Sequence, residues 1–374
     1  MRVMVVGAGL GGLTLAHRLR GAGIDVVVHE RDEPLGRPQG VSLHVDDRGA
    51  SALRACLPPA HAAMVEATMG GQRERTLTLS EVDGTLAVAG ARMCDGVADR
   101  TRPGRQVHRP LLRAVLLTGL ADVVRFGAEF TRFEERADGT VRAWFADGRM
   151  DTADVLVGAD GIGSAVRRQY LPHVRVVDTG RRILMGATPL RAVADTGLPE
   201  LIGDSPASVR VRDTVMALGV LRFTEPPAAA RRRWLPALCP SAVADVEDYV
   251  MWALPSTRER PGSAWRQAQE LAGDLPSALR SVVAGAWPEV TVALRIGMIP
   301  PMPAWRPSPV TVIGDAIHAA PGFGGNLAMR DAHDLCAALI DAHQGRRDLL
   351  DAIGAYEDWM RRTSFPPVAA KAGA

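Results

Sequence analysis

The first thirty residues combine two apolar runs with a glycine-rich turn between them. The runs RVMVV and IDVVVHE are apolar almost throughout, as in strands that are buried on both faces. The turn GAGLGG leads into LTLAHRLRGAG, where apolar side chains recur at helical spacing. The pattern therefore predicts a strand, helix, strand unit of a parallel sheet.

Two later segments depart from this pattern. The segment RTLTLSEVDGTLAVAG alternates like a strand pair, with Asp83-Gly84 at the predicted hairpin turn. Residues 181–300 contain the strand-like runs RILMGATPL, SVRVRDTVMALGVLRF and VTVALRIGMIP, and a helical stretch around 264–285. Because strand, helix, strand signals are few in these segments, they favour a mostly antiparallel sheet.

Between and after these departures, the chain returns to the first pattern. ADVLVGADGIGSAVRR has an apolar strand that ends at Asp160-Gly161, and SPVTVIGD has one that ends at Asp315. Two predicted helices follow, NLAMRDAHDLCAALIDAH and LLDAIGAYEDWMRR. The predicted fold class is α/β, with a Rossmann-like domain at 1–70, 101–180 and 301–374 and an antiparallel domain inserted as 71–100 and 181–300.

Composition narrows the class of protein. The chain has 374 residues, 47% of them apolar, and a formal net charge of +2, so we expect a large core and no nucleic-acid partner. The cysteines are widely spaced, without a metal-binding or disulfide pattern, and we expect no metal site. They are Cys56, Cys94, Cys239 and Cys336. With no signal peptide or bilayer-length apolar stretch, a cytoplasmic protein without stable membrane association is expected.

The glycine turn carries the first chemical signal. Gly7, Gly9 and Gly12 have the G-x-G-x-x-G spacing between a strand and a helix, which permits a tight turn, close approach of a pyrophosphate and close helix packing. Glu30 lies eighteen residues after Gly12, at the end of the second strand, where it can accept hydrogen bonds from a ribose. These features predict an ADP-binding unit and leave NAD and FAD open.

The two later strand ends favour FAD. Asp160 and Asp315 each follow a predicted buried strand, at the sheet edge where ligands bind in open α/β folds. A carboxylate there can accept hydrogen bonds from a ribityl chain, and a helix that starts near Asn326 can face an anionic ring. NAD binding would not explain why two further strands end in an aspartate.

These motifs together carry a family resemblance. The combination of GAGLGG, HE, GADGIGSAVR and GDAIH-x2-P-x2-G-x-N-x4-DA closely resembles the single-component FAD-dependent aromatic hydroxylases of the p-hydroxybenzoate hydroxylase type. The resemblance implies that Glu30 binds the adenosine ribose and that Asp315 holds the ribityl hydroxyls. Arg109 would approach the pyrophosphate or the ribityl side, and Arg37 would contact the pyrophosphate. The resemblance also implies that Asp160 serves FAD and nicotinamide binding. The full implied FAD set is Gly7, Gly9, Leu10, Gly11, Gly12, Glu30, Arg31, Arg37, Arg109, Asp160, Gly161, Asp315, Pro321, Gly324, Gly325 and Asn326.

The resemblance also implies a reaction. NAD(P)H, for which no second fingerprint is found, docks transiently and reduces the flavin, and molecular oxygen then forms a C4a-hydroperoxide. The expected outcome is hydroxylation or epoxidation of a small hydrophobic aromatic or polyketide-like molecule, by a monomer or homodimer. Such chemistry needs no protein nucleophile, so no catalytic residue is assigned.

Other functions stay open from the sequence. The main alternative is a flavin-binding protein without net oxidation, acting as an isomerase, a cyclase aid or a ligand-sequestering module. Flavin halogenases are disfavoured because their WxWxIP motif is absent and Lys371 lies in the tail. An NAD dehydrogenase would make the two later strand-end acids coincidental.

Several side chains have both a functional and an ordinary interpretation. His44, His108 and His318 are candidate bases toward a phenol, or structural histidines. Arg181 and Arg182 could meet an acidic substrate, or form a solvated face. The apolar insertion mildly favours a hydrophobic substrate over a small acid. The remaining candidates could line an apolar pocket or belong to the core: Met185, Met216, Met251 and Trp252.

The loop after Asp315 departs from the family pattern. Only AAPGFGG separates His318 from Asn326, which is about three residues shorter than is typical and removes up to about 10 Å of reach. We expect either a tighter loop that still presents N–H groups or a retracted loop that leaves the flavin edge open. Loss of flavin binding is the third possibility.

Overall fold

The computed structural model describes residues 1–34, 40–94, 102–211, 214–256, 262–320 and 324–365. Within them, the strands are β1 (Arg2–Val6), β2 (Asp25–His29), β3 (Ser42–Asp46), β4 (Gln72–Arg73), β5 (Arg75–Val82), β6 (Thr85–Met93), β7 (Gly104–His108), β8 (Val124–Arg125), β9 (Phe130–Glu135), β10 (Val141–Phe145), β11 (Met150–Ala153), β12 (Val155–Gly158), β13 (Val177–Pro189), β14 (Ala207–Val211), β15 (Thr214–Leu221), β16 (Tyr249–Ser256), β17 (Val292–Met298) and β18 (Val310–Val312). The α-helices are α1 (Leu10–Gly21), α2 (Asp47–Cys56), α3 (Pro59–Ala67), α4 (Arg109–Leu117), α5 (Ala165–Tyr170), α6 (Leu198–Ile202), α7 (Pro227–Trp234), α8 (Ala264–Ala272), α9 (Ser277–Ala284), α10 (Asp315–His318), α11 (Gly324–His343) and α12 (Leu349–Ser364).

The chain forms two compact units, and the first contains a parallel sheet. This unit comprises Met1–Pro34, Asp122–Val177 and Met298–Ala374, and its five strands have the order β18-β12-β1-β2-β8. β1 pairs in parallel with both β12 and β2. Val3, Met4 and Val5 are fully buried, which explains the apolar run that predicted this strand.

A three-stranded antiparallel sheet completes the strands of the first unit. Its order is β11-β10-β9, and Phe130, Phe133 and Phe145 are buried on it. The Phe145 ring stacks on His29 of β2 with centroids 4.1 Å apart, so this sheet packs against the parallel one. The sequence analysis did not predict it.

The second unit is built on a seven-stranded sheet. It comprises Leu35–Ala121 and Asp178–Gly297, and its strand order is β17-β13-β16-β15-β14-β5-β6. Antiparallel pairing joins β13 to β16, β16 to β15, β15 to β14 and β5 to β6, whereas β14 and β5 run parallel. Asp83 and Gly84 have φ of 50° and 78°, which is the geometry of the predicted hairpin turn. The predicted α/β fold class, with a mostly antiparallel second domain, is confirmed.

The core of the second unit lies on one face of this sheet. Met216 and Trp252 pack there with residues of α8 and α9, such as Ala268 and Val282. Side chains alternate along a strand, so Met251, the neighbour of Trp252, faces the other way and packs against a separate small cluster around Tyr249. The four residues considered together for an apolar pocket are therefore divided between two faces.

The compact units differ from the sequence-based domain boundaries in one respect. The predicted boundaries at 180 and 300 lie close to Val177 and Gly297, where the units divide. Residues 40–70 and 102–121, however, belong to the second unit, whereas the sequence assigned them to the Rossmann-like domain. The small sheet of β3, β7 and β4 pairs strands that are distant in the chain, and no local pattern in the sequence predicted it.

Across the described ranges, no helix has the length and apolar character needed to cross a membrane.

Candidate cofactor-binding site

Four strand ends of the parallel sheet meet at one edge of the first unit. β18, β12, β1 and β2 are consecutive neighbours and all run in the same direction. Their carboxyl ends lead into the motifs that carry Asp315, Asp160, Gly7 and Glu30. The tertiary structure thus brings three separate sequence motifs to the edge where ligands bind in such sheets.

The chain has different structural requirements for glycine at the three positions of the first turn. Gly7 has a φ of 108°, and a Cβ on it would lie 2.4 Å from the Ala159 carbonyl oxygen. A Cβ on Gly12 would lie 2.1 Å from the Gly7 carbonyl oxygen, whereas one on Gly9 meets nothing nearer than 4.0 Å. The chain itself therefore requires glycine at 7 and 12, but leaves open space beside Gly9.

The Glu30 carboxylate is held by the backbone around it. Its Oε2 accepts a hydrogen bond from the Ala8 N–H at 2.7 Å, and its Oε1 accepts one from the Asp32 N–H at 2.9 Å. These bonds fix the carboxylate beside the glycine turn. Carboxylate oxygens have further lone pairs, so Glu30 can still accept hydrogen bonds from a ribose.

Asp160 has one satisfied and one unsatisfied carboxylate oxygen. Oδ2 accepts hydrogen bonds from the N–H groups of Ala165 and Val166, at 2.7 and 3.3 Å. Oδ1 is buried and has no partner. Burial raises the pKa of Asp160. A buried acceptor without a donor is costly, and a bound hydroxyl or N–H group would satisfy it.

Asp315 lies against the start of α11. Gly314 has a φ of 62°, and a Cβ on Gly324 would lie 2.1 Å from Asp315 Oδ1. Glycine at 324 therefore allows the carboxylate to approach the first turn of this 20-residue helix, and the N-terminus of a helix attracts negative charge. The helix begins two residues before Asn326, which is fully buried.

A buried ion pair behind Asp315 was missed by the site prediction. His318 Nε2 contacts Asp331 Oδ2, and the same oxygen accepts a hydrogen bond from the Gly314 N–H at 2.8 Å. Burial favours a lower pKa for His318, but the Asp331 charge and hydrogen bond outweigh it and raise the pKa. The pair holds the turn that presents Asp315, and it gives His318 a structural explanation.

Arg167 joins the second and third motifs. Its side chain is buried, and Nη1 donates to the carbonyl oxygens of Ile162 and Ala316, at 3.0 and 2.8 Å. Arg167 is not among the site residues predicted from the sequence. Because its partner Ala316 is distant in the chain, no local pattern could have identified this contact.

The remaining predicted FAD residues are distributed as follows. Arg31 lies 3.6 Å from Asp32 through Nε. Arg109 begins α4 in the second unit, and its role toward FAD stays a prediction. Arg37 and Pro321 lie outside the described residues, as do the middle positions of the shortened loop. Of the others, Leu10 and Gly11 begin α1 and Gly325 is the second residue of α11. Gly161 follows Asp160 with a φ of 73°.

The other candidate side chains lie in the second unit. His44 and His108 belong to its small sheet, and burial lowers the pKa of each, that of His108 to about 4. Arg182 forms an ion pair with the exposed Asp178 at 2.7 Å. In the described parts of the chain, no group of three or more histidine, cysteine or acidic side chains could hold a metal ion.

The residues of the first unit fit FAD in chemical terms. Gly9 leaves space for a pyrophosphate beside a helix N-terminus. Glu30 is a fixed acceptor for a ribose, and Asp160 retains an unpaired buried oxygen. Asp315 adds a third carboxylate next to a helix start.

Comparison with known proteins identifies the family. The model of the family described as FAD binding domain matches residues 1–358. The dual O-methyltransferase/FAD-dependent monooxygenase CTB3 of Cercospora beticola is 31% identical over 96% of this chain. This chain spans only 44% of that relative. The FAD-dependent urate hydroxylase of Klebsiella pneumoniae subsp. pneumoniae is 28% identical, over 96% of this chain and 85% of the relative.

A solved structure agrees with these relatives. A protein of Photorhabdus luminescens subsp. laumondii, provisionally named an FAD-containing monooxygenase, is 27% identical and superposes with a TM-score of 0.80 over 97% of this chain and 94% of its own. The predicted resemblance to flavoprotein monooxygenases is thereby confirmed. The chain belongs to the FAD-binding-domain family, within a group of relatives named as FAD-dependent monooxygenases and hydroxylases.

Proposed function

We propose that the protein is an FAD-dependent monooxygenase that takes electrons from NAD(P)H and inserts one oxygen atom of O2 into an aromatic or polyketide-like small molecule. The relatives named above, of which CTB3 is more than twice as long as this chain, support the reaction class. The aromatic substrate class is supported by the urate hydroxylase relative and by the apolar second unit. A cytoplasmic location and a monomeric or dimeric state stay sequence predictions.

One observation carries the proposal: four adjacent strand ends present a glycine turn and three carboxylates at one sheet edge. A nicotinamide dinucleotide needs the glycine turn and Glu30 only. The additional carboxylates, with the unpaired oxygen of Asp160, suit a cofactor that carries a polyol chain as well. FAD has such a chain.

Each residue of this edge has a part in the proposed function. Gly9 and the α1 N-terminus bind the pyrophosphate, and Glu30 binds the adenosine ribose. Asp315 and Asp160 bind and orient the hydroxyl-bearing middle of the cofactor, while the His318–Asp331 pair holds the turn of Asp315 in place. When bound, FAD supplies the oxygen-activating chemistry, so the protein's tasks are binding, orientation and exclusion of water.

The alternative is a flavin-binding protein without net oxidation. The shortened loop after Asp315 favours it, because a retracted loop exposes the reacting edge of the flavin to water. Such a protein binds FAD but consumes no NAD(P)H and no oxygen in response to a ligand.

The test combines cofactor binding with turnover. The purified protein is titrated with FAD while its visible spectrum is recorded, and NADH and NADPH oxidation and oxygen uptake are followed with phenols, naphthols and hydroxylated polyketides. We expect the protein to bind FAD. We also expect at least one compound to stimulate both NAD(P)H oxidation and oxygen uptake, and to gain one oxygen atom. FAD binding without stimulated oxidation supports the alternative, and a protein that takes up no FAD contradicts both functions.

A matched pair of variants tests the site itself. We expect Asp315→Ala to weaken FAD binding by about tenfold or more, because a hydrogen bond to a charged group contributes about 1.5–3 kcal/mol. Asp351→Ala, which removes an exposed carboxylate of α12, should bind FAD as the wild type does. Equal FAD affinity in the two variants contradicts the role given to Asp315.

A further inference from the structure

The small sheet of the second unit has one polar face. β3 and β7 pair so that Ser42 is opposite His108 and His44 is opposite Gln106. β4 pairs with β7 so that Arg73 is opposite Gly104. Paired residues and every second residue share a face of a sheet, so these five polar side chains all project to the same side.

This polar face is turned toward the seven-stranded sheet. Arg73 Nη2 donates to the Val220 carbonyl oxygen at 3.1 Å, and the rings of His108 and Tyr249 lie 5.7 Å apart. A Cβ on Gly219 would lie 2.9 Å from Gln106 Oε1 and 3.1 Å from Arg73 Nη2. Glycine at 219 therefore makes room for the ends of both side chains.

The polar atoms of this face are incompletely paired. Gln106 is 1% exposed and donates through Nε2 to Ser42 Oγ. Its Oε1, however, is buried without a partner, as is Nδ1 of His108. An unpaired buried acceptor such as Gln106 Oε1 is costly, and a hydrogen-bond donor on a ligand would satisfy it.

Arg73 is a buried cation. It is 4% exposed, and within the described ranges no carboxylate forms an ion pair with it. Asp204, whose charge acts on Arg73, pairs with Arg222 at 3.4 Å. Burial lowers the pKa of Arg73 to about 10, so the side chain remains charged at neutral pH. Proteins rarely bury such a charge without an anionic partner.

Apolar side chains lie next to this cluster on the same face of the seven-stranded sheet. In β15 and β16, Gly219 pairs with Met251 and Ala217 pairs with Ala253, and β13 adds Met185 opposite Ala253. Met185, Met251 and Ala253 are half-buried, and Ala217 is exposed. Small and flexible apolar side chains beside a polar cluster suit one planar ring with a polar edge.

We propose that Arg73 and Gln106 form a substrate subsite for an aromatic anion, in which Arg73 binds an ionised oxygen and Gln106 Oε1 accepts a hydrogen bond from a neighbouring hydroxyl or N–H group. This inference rests on the proposed function, since it names the class of compound that the enzyme oxidises. It differs from the sequence expectation, which mildly favoured a hydrophobic substrate over an acid. Arg73 and Gln106 determine specificity here and take no part in the oxygen chemistry.

The test measures binding without turnover. Calorimetry on the FAD-loaded protein compares three probes: 3-hydroxy-2-naphthoate, its neutral carboxamide, and 3-methoxy-2-naphthoate, which lacks the donor hydroxyl. We expect the hydroxy acid to bind about ten- to a hundredfold more tightly than the amide, the range for a hydrogen bond to a charged group. The methoxy acid should bind about three- to tenfold more weakly than the hydroxy acid, because it leaves Gln106 Oε1 unpaired.

Variants separate a binding role from a structural one. Arg73→Gln should remove the preference for the acid over the amide, and Arg73→Lys should keep part of it. Gln106→Glu places a carboxylate beside Arg73 and should abolish acid binding while the protein stays folded. Arg92→Gln, which removes an exposed arginine of β6, is the matched control and should keep the wild-type preference.

Two results overturn the proposal. One is equal binding of acid and amide to the wild type, and the other is an undiminished preference in Arg73→Gln. The second result is the one expected if Arg73 is only structural, because its loss would then weaken the binding of all probes together and leave their ratio unchanged. Flavin content and ligand-stimulated NAD(P)H oxidation are measured on the same preparations, so a failure of the monooxygenase assignment is seen separately.

Discussion

At the scale of single residues, glycines of one motif serve different purposes. Gly12 is glycine because the Gly7 carbonyl oxygen occupies the space where a side chain would begin, 2.1 Å away. Gly9 has an ordinary φ of −80°, and a Cβ on it would meet no protein atom nearer than 4.0 Å. The fold itself therefore does not require glycine at position 9, and the space beside it suits the proposed pyrophosphate.

This difference predicts opposite effects of the same substitution. Gly9→Ala should change the free energy of unfolding by less than about 0.5 kcal/mol but weaken FAD binding by about tenfold or more. Gly12→Ala should destabilise the protein by about 1–3 kcal/mol or more, because the added methyl group overlaps the backbone. Urea unfolding of the apoproteins and FAD titration measure the two effects. Wild-type FAD affinity in Gly9→Ala contradicts the prediction.

At the scale of elements, helix α12 is attached to strand β18 by a buried carboxyl group. Glu357 is 2% exposed, and its Oε1 accepts hydrogen bonds from the hydroxyls of Thr311 at 2.9 Å and Tyr170 at 3.3 Å. Its Oε2 has no partner. Burial raises the pKa of Glu357 from 4.5 to about 7. The carboxyl group therefore stays protonated to a higher pH in the folded protein than in the unfolded chain.

A pH dependence of stability follows from this carboxyl group. Between pH 4.5 and about 7, the folded state binds more protons than the unfolded state, so the free energy of unfolding should fall as the pH rises, by on the order of 3 kcal/mol. Glu357→Gln should remove this decrease and be more stable than the wild type at pH 8. Urea unfolding from pH 5 to 8 measures it, with Asp351→Asn as the control for an exposed carboxylate of the same helix. A wild-type pH profile in Glu357→Gln contradicts the assignment.

At the scale of the whole molecule, the chain alternates between two compact units along the sequence, and each unit has its own sheets. The proposed FAD contacts that the structure describes lie in the first unit, apart from Arg109. The proposed anion subsite lies in the second. Cofactor binding and substrate recognition can therefore be measured by separate experiments.

Cofactor binding should raise the stability of the folded protein. FAD at a hundred times its dissociation constant should add about 2.7 kcal/mol to the free energy of unfolding and shift thermal unfolding upward by several degrees. FMN, which lacks the AMP portion of FAD and therefore the adenosine proposed to bind Glu30, should give a much smaller shift at the same concentration. Scanning calorimetry measures both. Equal shifts with FAD and FMN contradict the ADP-binding role of the first turn.

The sequence by itself determined the parallel strand, helix, strand unit, the hairpin at Asp83-Gly84 and the family. These features are local: buried strands require continuous apolar runs, and positive φ or close backbone approach requires glycine, so each leaves a mark within a few residues. The acidic strand ends were also visible, because each directly follows its apolar run.

Only the tertiary structure decided which distant residues meet. The contacts of Arg167 with Ala316 and of His318 with Asp331, and the polar face shared by Arg73 and Gln106, depend on strand order and register. The division of Met251 and Trp252 between two faces likewise depends on which side of the sheet α8 and α9 cover. Pairing and coverage are set by the free energy of the whole fold, and no single segment encodes them.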